Sequence, residues 1–302
     1  MLTASPRTKA ILMALFVTVL WSTSWVLIKI GLRNSLPAIT FAGLRYSLAF
    51  VSLIPFVLLN SNQRRALKGL KLKEWGKLAL LGVVYYTITQ STMFLALAYL
   101  PANTVSLLLN LTSVFVGISG IFLLNERPSL LQWSGIGLAM IGVGIYFFPI
   151  TYPEAQMVGV GIGLVCMLGN VASSLLSRDV NRGATVPPLI VTFVSMGIGS
   201  ILMLLTGLVI QGSGNLTTGD WLIILWMAIA NTALAFTLWN RSLQELTAVE
   251  SSILNSSMLP QIAILAYLFL GEGLTIKNIT GLVLVGIGTI VVQLKNTEKH
   301  VK

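Results

Sequence analysis

Ten apolar stretches, each about 20 residues long, occupy most of this 302-residue chain. A helix needs about 20 consecutive apolar residues to cross the hydrocarbon core of a bilayer. The stretches cover residues 10–31, 38–59, 76–97, 102–124, 130–149, 157–177, 187–210, 220–240, 247–270 and 276–294. A transmembrane β-barrel would instead alternate apolar and polar residues in segments of about ten. The sequence therefore predicts an all-α integral membrane protein with ten transmembrane helices.

The charged residues indicate how these helices are oriented. Only 9% of the residues are charged, whereas soluble domains have about 25%. The net charge of +10 would suit nucleic-acid binding in a soluble protein, but in a membrane protein basic residues mark the cytoplasmic loops. If both termini are cytoplasmic, fifteen of the 19 Lys and Arg residues lie inside. The sequence therefore predicts cytoplasmic termini and no nucleic-acid partner.

Residues 123–144 and 269–290 carry matching residues at an offset of 146. The matched pairs are Glu126 with Glu272, Gly135 with Gly281 and Gly142 with Gly288. Because each half of the chain contains five spans, an odd number, a tandem copy must enter the membrane upside down. We therefore predict two inverted five-helix repeats, residues 1–150 and 151–302. Repeats of this kind build secondary transporters with a substrate site near the membrane midplane.

The repeated stretch has a structural explanation. Ser129 and Gln132 fit a capping box at a helix start, and Thr275 with Asn278 forms a looser variant. The repeated glycines recur every seven residues along one helical face, where small residues let helices pack closely. Helix capping and close packing are the interpretation that we favour for this stretch.

The two glutamates also allow a functional interpretation as gates. Glu272 could pair with Lys29 or Arg45 on the outer side, and Glu126 could pair with a basic residue on the inner side. However, loop carboxylates near basic residues often pair without consequence, and a carboxylate just before a helix is favoured by the helix dipole. The gate role of Lys29, Glu126 and Glu272 is therefore an alternative to helix capping.

Several segments resemble the EamA family of the drug/metabolite transporter superfamily. They are LWSTSWVLIKIGL (20–32), LPAITFAGLRYSLA (36–49), AYLPANTVSLLLNLTSVFVGISGIFLLNE (98–126) and SLQELTAVESSILNSSMLPQIAILAYLFLGE (242–272). The resemblance implies a ten-helix inner-membrane carrier that moves small metabolites, often amino acids and often outward, by alternating access. One departure is Val114, which matches Pro260 of the second repeat, so we expect a helical break in the ninth span but not in the fourth.

Polar side chains at mid-depth are candidates for a substrate cavity, because they are costly in hydrocarbon and must face a cavity or another helix. The candidates are Trp21, Ser24, Trp25, Arg45, Tyr85, Tyr86, Gln90, Asn110, Asn170, Asn231 and Asn255. Rings and amides suit a small polar or amphipathic solute, but the same groups can also bond across packed helices. For Trp21, Tyr86 and Asn231 we favour the cavity.

Arg45 is the exception to the neutral character of this set. It lies about 10 Å inside the second span if that span begins at Pro37. A cation at this depth is a functional-site candidate that could attract a carboxylate, or it could snorkel outward. Lys29 lies near the interface, where snorkelling is the better account. No Asp or Glu lies at mid-membrane in any predicted span. We therefore expect gradient-following transport rather than proton antiport.

Other functional classes lack the residues that they need. The only histidine is His300 and the only cysteine is Cys166, which disfavours a His-based catalytic triad, a His-ligated metal site and an internal disulfide. The sequence also lacks a phosphate-binding loop and a filter-like loop. We predict no enzyme activity, no cofactor or metal, and a monomer whose partners are a small-molecule substrate and membrane lipid. The alternative is a multidrug exporter, although a cation exporter would be expected to carry a central Glu.

Overall fold

A computed structural model of the chain describes residues 6–34, 36–124, 129–148, 153–182, 186–242, 245–246 and 254–293. All regular elements within these residues are helical. They are α1 (Pro6–Arg33), α2 (Ala38–Leu58), α3 (Ser61–Lys68), α4 (Leu72–Tyr99), α5 (Ala102–Leu124), α6 (Leu130–Phe147), α7 (Glu154–Arg182), α8 (Pro188–Ile210), α9 (218–242), α10 (Leu254–Leu270) and α11 (Ile276–Gln293). The predicted all-α class is confirmed.

Seven of the described helices are long and apolar enough to cross a membrane, namely α1, α2, α4, α6, α7, α8 and α9. Shorter apolar helices cover the other three predicted stretches: residues 102–116 of α5, α10 and α11. The remaining helix, α3, is short and polar and follows α2. Helix length and composition therefore support an integral membrane protein, while the number of ten spans stays a prediction.

The helices group into two compact units, and each unit contains parts of both sequence halves. Unit 1 comprises Met1–Val26, Pro101–Met157 and Thr237–Lys302, and unit 2 comprises Leu27–Leu100 and Val158–Phe236. Unit 1 thus combines α5 and α6 with α10 and α11, whereas unit 2 combines α2 and α4 with α8 and most of α9. In each unit these are matching helices of the two predicted repeats. The predicted boundary between repeats, at residue 150, stays a prediction.

In unit 1, α6 and α11 pack through the repeated glycines. A Cβ atom on Gly135 would lie 2.8 Å from the carbonyl oxygen of Gly288, and one on Gly142 would lie 2.8 Å from that of Gly281. Any larger residue would therefore overlap the facing backbone. The earlier glycine of one helix meets the later glycine of the other, so the two helices run antiparallel. The predicted close packing is confirmed, and the antiparallel direction of matching helices is what an inverted repeat requires.

The same kind of contact joins α2 to α8 in unit 2. A Cβ atom on Gly43 would lie 2.5 Å from the Cα atom of Leu204, and one on Gly207 would lie 2.6 Å from the amide nitrogen of Thr40. Here too the residue numbers rise along one helix as they fall along the other. Matching helices from the two halves are therefore packed backbone to backbone in both units.

Both predicted helix-start motifs are formed. The Ser129 hydroxyl accepts from the Gln132 amide at 3.3 Å, and the Gln132 side-chain oxygen accepts from the Ser129 amide at 3.0 Å. Thr275 and Asn278 make the same reciprocal bonds at 3.1 and 3.2 Å. Each pair satisfies backbone N–H groups that have no partner inside the helix.

The expected break in the ninth predicted span is also present. A turn at Ser257 separates residues 254–256 from the helical segment Met258–Leu265. Pro260 follows closely, and it has no N–H to donate to the carbonyl group of the preceding turn. The matching helix α5, which has Val114 in this place, is continuous over Ala102–Leu124.

We predict that Gly288→Ala destabilises the protein by about 1–3 kcal/mol. The added Cβ would lie 2.6 Å from both the Ala139 amide nitrogen and the Gly135 carbonyl oxygen, and backbone atoms cannot move aside cheaply. Thermal unfolding of the purified protein in detergent measures the effect. Gly137→Ala is the matched control, because a Cβ at Gly137 meets nothing within 4 Å. Equal unfolding midpoints for the two variants would contradict the packing described here.

Candidate functional site

Two π-helical segments, Gly82–Gln90 in α4 and Ile229–Leu234 in α9, lie in unit 2. The repeat offset of 146 maps residues 83–88 onto 229–234, so the segments match between the two halves. In each, a threonine hydroxyl donates to the carbonyl oxygen five residues earlier: Thr89 at 2.7 Å and Thr232 at 2.9 Å. π-Helical turns are rare and occur mostly at functional sites. These two turns carry four of the predicted cavity residues: Tyr85, Tyr86, Gln90 and Asn231.

Arg45 of α2 is buried in the same unit, with only 4% of its surface exposed. Its Nε donates to the Thr232 hydroxyl at 3.2 Å, and its guanidinium carbon lies 5.1 Å from the centre of the Tyr46 ring. A buried cation is costly unless it is hydrogen-bonded or paired, and an aromatic face contributes about 0.5–2 kcal/mol. Both of these partners are neutral. Arg45 is therefore held inside the unit, and the snorkelling alternative for it is wrong.

Three tyrosines extend the cluster around Arg45. The Tyr46 ring meets the Tyr86 ring edge to face, with centroids 5.6 Å apart, and the Tyr86 and Tyr85 centroids are 4.9 Å apart. The Tyr46 hydroxyl donates to the side-chain oxygen of Gln90 at 2.9 Å. The fold thus brings together four predicted residues, Arg45, Tyr85, Tyr86 and Gln90, in one cluster. It consists of one cation, aromatic rings and an amide, which suits an anionic solute with an apolar part.

Two more predicted residues lie elsewhere in unit 2. Asn231 is fully buried in the π-helical turn of α9, next to Thr232 in the chain. Asn170 of α7 is partly buried and donates to the Cys166 carbonyl oxygen of its own helix at 3.2 Å. The Cys166 thiol in turn donates to the Thr89 carbonyl oxygen in the π-helical turn of α4, at 3.3 Å. The Asn170 bond thus stays within α7, and the Cys166 thiol makes the bond between α7 and α4.

The remaining predicted cavity residues belong to unit 1: Trp21, Ser24, Trp25, Asn110 and Asn255. The Trp21 ring packs against Trp239, with centroids 5.2 Å apart, and Asn110 donates to the Ser106 carbonyl oxygen of its own helix at 2.9 Å. Ser24 and Trp25 are buried, whereas Asn255 is exposed. A cavity role for these five residues stays a prediction.

Sequence reasoning missed two members of the Arg45 cluster, Tyr46 and Thr232. Tyr46 stands directly after Arg45, so the Arg-Tyr pair in the second span was an available signal. Thr232 had no such signal, because it lies 187 residues from Arg45 in the chain. Its hydroxyl is positioned by the π-helical turn, which no periodic pattern in the sequence indicates.

A polar network in unit 1 was also missed. The Gln261 side-chain oxygen accepts from the Ser22 hydroxyl at 3.0 Å, and its nitrogen donates to the hydroxyl groups of Thr18 at 3.1 Å and Ser257 at 3.0 Å. Ser22 and Gln261 are 239 residues apart in the chain. Such bonds between membrane helices contribute about 0.6–2 kcal/mol each. The network ties α1 to α10 next to the break in α10.

Glu272, one of the predicted gate residues, caps a helix. Its two carboxylate oxygens accept from the backbone amides of Ala102 at 2.7 Å and Asn103 at 3.2 Å. These amides begin α5, where the helix dipole favours a negative charge. The carboxylate thus caps α5 through backbone amides. Pairing of Glu272 with a cation in a gate stays a prediction.

Lys29, another predicted gate residue, caps the C-terminal end of a helix. Its ammonium donates to the carbonyl oxygens of Leu97 at 2.8 Å and Leu100 at 2.9 Å, where α4 ends. A cation is favoured there because the last carbonyl groups of a helix have no internal partner. The ammonium therefore binds the backbone, a contact that the snorkelling interpretation did not include. The third gate residue, Glu126, lies outside the described residues.

Comparison with known proteins also divides the chain into two similar parts. The model of the EamA-like transporter family matches residues 8–148 and again residues 157–294. A probable amino-acid metabolite efflux pump of Salmonella typhimurium is 27% identical over 288 residues, covering 91% of this chain and 92% of that protein. An Escherichia coli protein of the same description is 26% identical over 287 residues, covering 91% and 92%. A solved crystal structure matches with a TM-score of 0.66 at 17% identity, covering 95% of this chain and 98% of that one. That structural likeness shows the fold.

We predict that Glu272→Gln lowers the free energy of unfolding by about 0.5–2 kcal/mol. The amide keeps an acceptor for one backbone N–H but loses the charge that favours the helix start. Thermal unfolding in detergent measures the loss, and Glu154→Gln, at an exposed carboxylate in the first turn of α7, is expected to cost less. A Glu272→Gln protein of normal stability but altered transport rate would favour the gate over the cap.

Proposed function

Because the chain belongs to the EamA-like transporter family, we propose that it is a secondary transporter that exports small carboxylate-bearing metabolites, with amino acids as the leading class. Two relatives described as probable amino-acid metabolite efflux pumps support this substrate class. The proposal includes ten spans, cytoplasmic termini, a cell inner-membrane location and a monomer.

The observation that carries the proposal is the buried Arg45 of unit 2. A guanidinium binds a carboxylate through parallel charge-assisted hydrogen bonds, which are stronger away from water. Thr232 and the Tyr46 ring hold the guanidinium in place, at 3.2 Å and 5.1 Å. The rings of Tyr46 and Tyr86 offer faces and edges for an apolar substrate side chain. The cluster therefore supplies a charged anchor and an apolar wall for a small amphipathic anion.

Transport through this site requires a conformational change. With 4% of its surface exposed, Arg45 is closed off in the present conformation. Two inverted repeats of similar structure can exchange conformations, so that a site opens first to one side of the membrane and then to the other. This alternating access is the mechanism that we propose for the Arg45 cluster.

We propose that the substrate gradient drives this movement, without tight proton coupling. Proton-coupled carriers commonly use a carboxylate inside the membrane. Among the described residues, acidic side chains lie in loops or in the first or last turn of a helix, as Asp220 does at the start of α9. Glu250, the nearest acidic residue to a predicted span interior, lies outside the described residues.

The alternative is an exporter of lipophilic cations. A cation in the Arg45 cluster would be repelled by the guanidinium, and this repulsion is strong in a low-dielectric interior. The aromatic rings alone would suit such compounds. The charge of Arg45 is therefore the feature that decides between the two substrate classes.

We predict that proteoliposomes containing the protein exchange amino acids in counterflow, and that Arg45→Gln slows this exchange about 10-fold or more. The expected loss reflects a charge-assisted hydrogen bond, which contributes about 1.5–3 kcal/mol. Arg64→Gln, which removes an exposed cation on α3, is the matched control and should exchange at the normal rate.

Arg45→Lys separates folding from binding in the same assay. It keeps the positive charge but loses the planar donor pair, so we expect a folded protein with intermediate exchange. The unfolding midpoint of each variant in detergent shows whether it is folded. Exchange of lipophilic cations alone by the wild-type protein would refute the metabolite proposal.

We predict that a pH gradient imposed across the proteoliposomes leaves the initial exchange rate nearly unchanged. The reason is the peripheral position of the described carboxylates. The wild-type protein and Glu250→Gln should respond alike. A strong acceleration that Glu250→Gln abolishes would show proton coupling and overturn this part of the proposal.

A further inference from the structure

An open groove of about 590 Å³ lies on the surface of the α6–α11 pair in unit 1. It is lined by Ile141, Gly144 and Ile145 from the last two turns of α6, by Phe148 directly after α6, and by Lys277 from the first turn of α11. Ile141 and Phe148 are 58% and 74% exposed. The groove therefore has apolar walls and a single cationic residue.

Gly144 keeps this groove open. A Cβ atom at Gly144 would meet nothing within 4 Å, whereas one at Gly142, two residues earlier, would lie 2.8 Å from the backbone of α11. Glycine inside a helix costs about 1 kcal/mol relative to alanine. A Cβ at Gly144 has no close neighbour, so helix packing does not require glycine at this position, and the missing side chain leaves room in the groove.

Two residues that line the groove are not repeated at the matching positions of the α6–α11 pair. At the repeat offset of 146, Ile290 takes the place of Gly144, and Leu131 takes the place of Lys277. A branched side chain thus stands at the position that matches Gly144, and the matching cation is missing. Because these differences stand on helices that otherwise share their glycines and capping boxes, helix packing does not account for them.

The position of Lys277 favours an anion from outside the chain. The residue is half-buried, and its ammonium donates no hydrogen bond to another residue of the described part of the chain. It stands in the first turn of α11, where the helix dipole already disfavours a cation. Lysine and dipole therefore combine into a positive potential at one end of an apolar groove.

We propose that this groove binds an anionic glycerophospholipid of the phosphatidylglycerol type. The exposed surface of a membrane-spanning helix faces lipid, so an acyl chain would lie along Ile141, Gly144 and Phe148. The phosphate would lie at Lys277, since basic residues near a membrane surface attract anionic lipid by about 1 kcal/mol each. This site is independent of the transported substrate.

Native mass spectrometry of the full chain in a mild detergent tests the proposal. The protein is titrated with phosphatidylglycerol and with phosphatidylethanolamine of the same acyl chains. We expect the wild-type protein to bind one phosphatidylglycerol about 5-fold more tightly, which corresponds to about 1 kcal/mol. Lys277→Gln should abolish this preference and Lys277→Arg should keep it.

Further variants separate the groove from general lipid attraction. Gly144→Leu fills the notch and should weaken binding of both lipids, whereas Gly137→Leu, at another open glycine of α6, should bind like the wild-type protein. Arg64→Gln, which removes a cation from α3, should keep the preference. Unfolding midpoints in detergent identify any variant that fails to fold.

Three results would overturn the proposal. The first is equal affinity of the wild-type protein for the two lipids. The second is a Lys277→Gln protein that is less stable but keeps its lipid preference, which would assign the lysine to the carbonyl groups at the end of α6. The third is a dimer that forms in place of lipid binding and is lost in Gly144→Leu, because a second copy would then occupy the groove.

Discussion

Close backbone contact between matching helices is the constraint on which the rest of the structure depends. Inside a bilayer, lipid tails are as apolar as the side chains, so association of helices relies on close packing and on hydrogen bonds. The glycines of α6 and α11 bring two backbones so close that a Cβ atom would overlap carbonyl oxygens at 2.6–2.9 Å. Gly43 and Gly207 bring the backbones of α2 and α8 equally close, where a Cβ atom would lie 2.5 Å from the Leu204 Cα and 2.6 Å from the Thr40 amide nitrogen. Both pairs run antiparallel, which is the direction that an inverted repeat requires.

Three charged side chains contact backbone or neutral groups: Glu272, Lys29 and Arg45. Glu272 accepts from the first amides of α5, and Lys29 donates to the last carbonyl groups of α4. Both use helix ends, where half-charges of the opposite sign are available without burying a second ion. Arg45 instead lies between a hydroxyl and an aromatic ring. A buried guanidinium can bind a carboxylate through strong charge-assisted hydrogen bonds, which is the reason for connecting Arg45 with an anionic substrate.

The π-helical turns give the Arg45 cluster its geometry. An extra residue in a turn changes the direction in which the following side chains point, so α4 presents two tyrosines and a glutamine, and α9 presents an asparagine and a threonine. The turns occur at matching positions of the two repeats, but their side chains differ. The shared backbone is suited to alternating access, and the different side chains are suited to a substrate that is itself asymmetric.

The class of the protein, its repeats, the glycine contacts and both helix-start motifs could be predicted from the sequence. They depend on segment length, on a seven-residue spacing and on bonds within one turn, all of which are local. Arg45, Tyr85, Tyr86 and Gln90 could be identified by residue type and depth, because a polar group in hydrocarbon needs an explanation wherever it lies. The partner of Arg45 could not be predicted, because Thr232 lies 187 residues away in the chain. The bond between Ser22 and Gln261, which are 239 residues apart, could not be predicted for the same reason. Only the tertiary structure decides which polar groups meet, because that choice depends on the rotation of each helix and on π-helical turns that no periodic pattern records.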